Sequence, residues 1–256
     1  MGISESVAFP SPASVDVHTF LCDECCVSFG VKDNLFVGIE ALLKINTEGQ
    51  SKAGCPFQVS IDKDEINRLH LKKYTGPVEL IRDGKAFEYA IRELKKESVL
   101  GFDTETRPAF RKGESYMPSL VQLGGESKVY LFQLAWIKNP TKLFGLLSNP
   151  DILKVGVAMD YDIRQLQEIR EFEAGGFQNL ETIAEELGIK KKGLRNLAAI
   201  ALGIRISKSE QRSNWSRDPL TRQQVIYAAT DAWVSREIYL KFNRFLNGDG
   251  AKPSAD

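Results

Sequence analysis

The segment Ser98-Val-Leu-Gly-Phe-Asp103-Thr-Glu105 constrains this chain more than any other stretch. Its apolar run is short, and it ends in two acids placed two residues apart, so it reads as a buried strand. Period-two geometry puts both carboxylates on one side of that strand. Such a pair repels itself and resists burial unless a cation neutralises it. Taken alone, Asp-x-Glu also reads as a solvated loop pair. A fold that accepts this strand must supply water or positive charge at its acidic end.

The surrounding segments say what the strand packs against. Phe87, Ile91 and Leu94 have helical spacing, so 87–95 reads as an amphipathic helix. Residues 119–123 and 128–133 are β-branched or aromatic and flank Gly124-Gly125, which reads as a hairpin. A helix is expected over 141–147. A second buried strand over 153–159 leads into a helix over 160–170. Helices over 180–187 and 194–202 are closed by Gly188 and Gly203. Pro219 precedes a long helix from Thr221 to about Leu246. A hairpin followed by strands alternating with helices suggests an α/β fold, a mixed sheet covered by helices. No internal repeat is visible.

The chain has 256 residues, enough for one large domain or two small ones. No apolar run approaches the ~18–20 residues of a membrane span, so no membrane partner is expected. Lysine plus arginine equals aspartate plus glutamate at 34 each. A zero balance argues against coating nucleic acid through bulk charge, but it hides an asymmetry. Residues 1–57 carry seven acids against three bases and read as a partly disordered extension. They include a possible short helix over 36–45. The expected domain runs over 58–246, with a flexible tail over 247–256. All four cysteines, Cys22, Cys25, Cys26 and Cys55, lie in the extension. His18, Cys22, Cys25 and Cys55 could hold zinc, but the second Cys-x-x-Cys of such sites is missing. Reduced thiols and a cytoplasmic setting are expected.

Two further acidic sites matter. Asp160 and Asp162 follow the second strand, where Asp160 suits an N-cap and Asp162 the first helical turn. Tyr227 and Asp231 stand four apart in the long helix and therefore share a face. The small residues Ala228, Ala229 and Ala232 let a neighbour approach closely. Alone, each pair has an ordinary structural use. Together, Asp103, Glu105, Asp162 and Asp231 form an all-oxygen donor set of the kind hard divalent cations favour. Two such ions can clamp an in-line phosphoryl displacement.

Asp103-Thr-Glu105, Val155-Gly-Val-Ala-Met-Asp-Tyr-Asp162 and Tyr227-Ala-Ala-Thr-Asp231 resemble the three exonuclease motifs of the DEDD superfamily. Ribonuclease D and Werner-type exonuclease domains are the look-alikes. Lys192-Gly-Leu-Arg-Asn-Leu-Ala198, Arg212-Ser-Asn-Trp-Ser216 and Pro219-Leu-Thr221 resemble the Werner-type segment before the third motif. The likeness covers about residues 60–245. It implies a ribonuclease H-like fold, a mixed sheet with helices on both faces. It implies 3′→5′ removal of nucleotides with two Mg²⁺ or Mn²⁺ ions. Asp103, Glu105, Asp162 and Asp231 would be the metal ligands, with Tyr227 orienting the attacking water. The only histidines, His18 and His70, precede the first acid, so the tyrosine branch (DEDDy) is the one that fits.

Lys190 to Arg222 holds nine bases against two acids, a stretch suited to phosphate contacts. Lys192, Arg195, Lys208, Arg212 and Trp215 are the candidate substrate-binding residues there, with core packing as the other reading of Trp215. Arg107, Arg111 and Lys112 are a second basic set. The expected partner is nucleic acid, DNA favoured over RNA. The alternative is a nucleic-acid-binding module without catalysis.

Overall fold

A computed structural model describes residues 55–248 apart from Asp83 and Lys112. The helix expected over 36–45, and His18, Cys22, Cys25 and Cys26, lie outside the described residues.

Among the described residues the central sheet has six strands: β1 (Val78–Ile81), β2 (Val99–Thr106), β3 (Pro118–Gly124), β4 (Val129–Gln133), β5 (Leu153–Gly156) and β6 (Phe177–Asn179). Their spatial order is β1-β4-β3-β2-β5-β6. The expected hairpin is present, with β3 antiparallel to both β2 and β4. The pairs β1–β4, β2–β5 and β5–β6 are parallel. The sheet is therefore mixed.

Helices cover both faces. On one side lie α2 (Gly84–Leu94), α3 (Thr141–Leu147) and α4 (Asp160–Ile169). They enclose Leu100, Phe102, Val121, Leu123 and Phe132. On the other side lie α5 (Leu180–Glu186), α6 (Leu194–Leu202) and the long α7 (Arg222–Leu246). Val155, Leu197, Val234, Ile238 and Phe242 meet there. Phe57, at the end of the expected extension, joins this layer and packs edge-on against Phe242 at 5.0 Å. A short helix α1 (Lys63–Arg68) precedes the sheet. Among the described residues no helix is long and apolar enough to cross a membrane.

Local chemistry explains the boundaries. Thr221 caps α7 through a capping box with Gln224, and Asp62 caps α1 in the same way with Glu65. Gly203 closes α6 at φ 65°, a conformation glycine adopts freely. Two expectations need correction. The second buried strand stops at Gly156, not Met159, because Ala158 turns the chain at φ 54°. Asp160 is not the N-cap of α4. It lies inside the first turn, and the cap position belongs to Met159, which makes no side-chain bond.

Lys154 is wholly buried in β5. Its Nζ donates to the carbonyls of Asn149 and Ile152, both at 2.7 Å, and to that of Leu146 at 3.4 Å. Those bonds tie the loop after α3 to the sheet.

Candidate active site

β2 runs straight through its two acids, so both remain in the sheet. Asp103 pairs with Gln122 of β3, and Glu105 with Leu120. Both acids point to the α7 side, as does Leu120, which packs on Ala228, Ala229 and Ala232. The helix can approach because Gly101 and Gly124 lack side chains. A Cβ at Gly101 would lie 1.8 Å from the Ala232 carbonyl oxygen. This contact brings Asp231, one residue earlier, over the acids of β2.

Carboxylate oxygens of Asp103, Glu105 and Asp231 lie within 4.8 Å of one another. Asp162 stands beside this trio, at the start of α4. It accepts a hydrogen bond from Thr104 Oγ1 at 2.7 Å, and the Thr104 amide donates to Asp103 at 2.9 Å. Three acids thus converge and the fourth flanks them.

Such crowding disfavours ionisation. Burial, with the charges of Asp231 and Asp162, pushes Asp103 well above the usual carboxylate range. Burial and the charge of Asp103 raise Glu105 to about 10. Burial raises Asp231 to about 7, against opposing help from Tyr227 and Lys208. Burial also raises Asp162, partly offset by its bond from Thr104. The site can ionise fully only if positive charge enters it. Its donors are all oxygens, which suits Mg²⁺ or Mn²⁺ better than a thiophilic metal. Burial and the neighbouring acids raise the Tyr227 phenol, so it stays protonated.

Asp103, Glu105 and Asp231 form the floor of a cleft of about 540 Å³, which Asp162 does not line. Lys63, Lys191, Arg195 and Lys208 line it. Arg195 reaches across to Asn67 of α1 at 2.8 Å. Of the expected contact residues, Arg195 and Lys208 are therefore at the cleft. Lys192 does not line it and pairs with Glu185 at 3.0 Å. Arg212 is exposed outside it. Trp215 is a correction. Its side chain is 1% exposed, sealed among Leu120, Leu131, Leu220 and Ala229, so no base can stack on it. Core burial of so large a ring outweighs any surface use. Arg107 lies over the Tyr116 ring at 4.6 Å, and Lys112 is outside the described residues. Lys63 was missed, since nothing in its local sequence links α1 to acids some forty residues away. Lys191 was visible within the basic run but not singled out.

A family model described as 3′-5′ exonuclease matches residues 78–247. The mouse bifunctional 3′-5′ exonuclease/ATP-dependent helicase WRN is 36% identical over 170 residues, which is 62% of this chain and 12% of that protein. DNA polymerase I of Aquifex aeolicus is 29% identical over 169 residues, 66% of this chain and 28% of the polymerase. The chain thus spans a small part of these relatives. Among solved structures, the EXO domain of Aedes aegypti Nibbler superposes with a TM-score of 0.63 at 24% identity, covering 71% of this chain and 95% of that one. At that identity the likeness speaks for the fold alone.

Proposed function

The chain belongs to the 3′-5′ exonuclease family, and from that premise we propose that it hydrolyses nucleic acid one nucleotide at a time from the 3′ end. The observation that carries this reading is the meeting of Asp103, Glu105 and Asp231, from two distant segments, beneath a wall of basic side chains.

Asp103, Glu105, Asp162 and Asp231 would hold two Mg²⁺ or Mn²⁺ ions. When bound, the ions supply the positive charge that lets these acids ionise together and that offsets charge on the attacking and departing oxygens. Tyr227 stays protonated, so it works as a donor that orients the attacking water and not as a base. The water oxygen bonds to phosphorus and gives up a proton, while the bond to the 3′-oxygen of the preceding nucleotide breaks and that oxygen takes a proton to leave as the 3′-hydroxyl of the shortened strand. The products are a nucleoside 5′-monophosphate and a strand shorter by one. Lys63, Lys191, Arg195 and Lys208 face the strand and meet its phosphates. Lys208 also faces Asp231, so its charge serves the floor of the cleft as well as the wall.

DNA is the preferred strand in this reading. It is supported by the DNA polymerase I relative and by the Werner-like segment ahead of α7. The test is digestion of 5′-labelled DNA and RNA with Mg²⁺, Mn²⁺ or EDTA. A ladder shortened from the 3′ end, absent in EDTA and faster on DNA, is expected. Faster loss of RNA would reverse the strand preference. Binding with no cleavage in either metal would leave a nucleic-acid-binding module.

A further inference from the structure

Gln122 has a wholly buried side chain, and neither Oε1 nor Nε2 has a hydrogen-bond partner. An orphaned buried amide costs about 1–3 kcal/mol for each unmet group and calls for an explanation. Its position supplies one. Gln122 is directly opposite Asp103 in the antiparallel β2–β3 pair, so the two side chains leave the same face of the sheet with Cβ atoms ~4.5–5.5 Å apart.

The helix above fixes the surroundings. Ala232 sits over the paired glycines Gly101 and Gly124. Glu105, at the other end of the acidic pair, bears on Tyr227. α7 therefore runs alongside β3, with Tyr227 toward Leu120 and Ala232 over Gly124. Gln122 lies midway, beneath the turn that joins Tyr227 to Asp231. Its other cross-strand neighbour is Leu131, which offers no polar atom.

The donors around the acids are few. Thr104 gives its amide to one oxygen of Asp103 and its hydroxyl to Asp162. Among the described residues, no other side chain or backbone group donates a hydrogen bond to Asp103. Metal-ligating carboxylates are themselves usually held by hydrogen bonds.

We propose that Gln122 is a positioning residue: its amide Nε2 donates to the second oxygen of Asp103 when the site carries divalent ions. This rests on the two-metal reading above. Gln122 then acts through Asp103, and touches neither metal nor substrate.

The test is Mn²⁺ binding followed by electron paramagnetic resonance, in wild type, Gln122→Met and Gln122→Leu. Gln133→Met is the control, because Gln133 is also buried but already accepts from Arg82 Nε at 2.8 Å. Both Gln122 variants should weaken Mn²⁺ binding about 10-fold. Their metal-free melting temperatures should be unchanged or raised, since an unpaired amide is removed. Turnover should fall while KM for the strand holds. Mn²⁺ affinity equal to wild type in a folded Gln122 variant overturns the assignment, as does an equal loss in Gln133→Met. Failure of both Gln122 variants to fold makes the residue structural and also overturns it. A wild-type chain that takes up no Mn²⁺ overturns the two-metal reading and this assignment with it. Wild-type uptake with unaffected variants overturns this assignment alone.

Discussion

Replacing Asp231 by asparagine should stabilise the metal-free chain while removing its activity. Burial lifts the Asp231 carboxyl from 3.8 to about 7. A raised carboxyl favours the protonated form in the folded state. Its stabilising contribution is therefore complete below the unfolded pKa of 3.8 and is lost as the pH rises through about 7. Three units at ~1.36 kcal/mol each set the cost of the ionised side chain at about 4 kcal/mol above neutrality. Asparagine removes that charge, but its own buried amide gives back about 2 kcal/mol where partners are lacking. The net gain is about 2 kcal/mol, or about 4–8 °C in melting temperature for a domain of this size. The assay is thermal unfolding of both proteins in EDTA at about pH 8 and about pH 4.5, and again with excess Mg²⁺. The variant should melt higher at the upper pH and slightly lower, by about 1 kcal/mol, at the lower one, where the wild-type carboxyl is protonated and the cost of the unpaired amide remains. Mg²⁺ should raise wild type and leave the variant much where it was. A variant that melts below wild type in EDTA at the upper pH would refute the reasoning, and so would a gain independent of pH.

Tyr227→Phe should lower single-turnover rates by about 10–100-fold with strand binding unchanged, because only the oriented donor is lost; a weaker Kd at an unchanged rate would count against that role. Lys154→Met should cost about 2–4 kcal/mol in urea unfolding, since the carbonyls of Asn149 and Ile152 each lose a 2.7 Å donor. An unchanged midpoint would mean that water replaces the ammonium. Ala158→Gly should raise stability by up to about 1 kcal/mol, because Ala158 holds φ 54° with a Cβ that opposes it. A loss on the same denaturant curve would show that the turn carries no strain.

The site was legible where chemistry follows local period. Asp103 and Glu105 share a face because strands alternate, and Tyr227 and Asp231 because helices repeat every ~3.6 residues. What stayed hidden depends on the third dimension. Trp215 sits in a polar, basic stretch, yet the chain folds it under α7 against Leu120 and Leu131. Lys63 comes to the cleft only because α1 packs beside α6, where Ile66 meets Ala199. β6 has three residues and no apolar alternation, so its pairing with β5 could not be read from periodicity. The early stop of β5 depends on one positive φ at an alanine, which no local pattern announces. The sheet class, the acids and half of the basic wall, Arg195 and Lys208, were open to reading; the approach of Lys63 from α1 was not.

The meeting of Ala232 with Gly101 and Gly124 has a mechanical meaning. A contact between two side chains behaves as a spring, since rotamers can shift and gaps can be refilled. Here a helix carbonyl rests on bare strand backbone, and nothing in between can be compressed. The separation of α7 from β2 is thus set by a hard stop. Substitutions that loosen the layers farther along α7, around Val234, Ile238 or Phe242, can tilt or lower the stability of the helix. They have little leverage on the gap between Asp231 and Asp103, which is measured from the stop and lies one residue away from it.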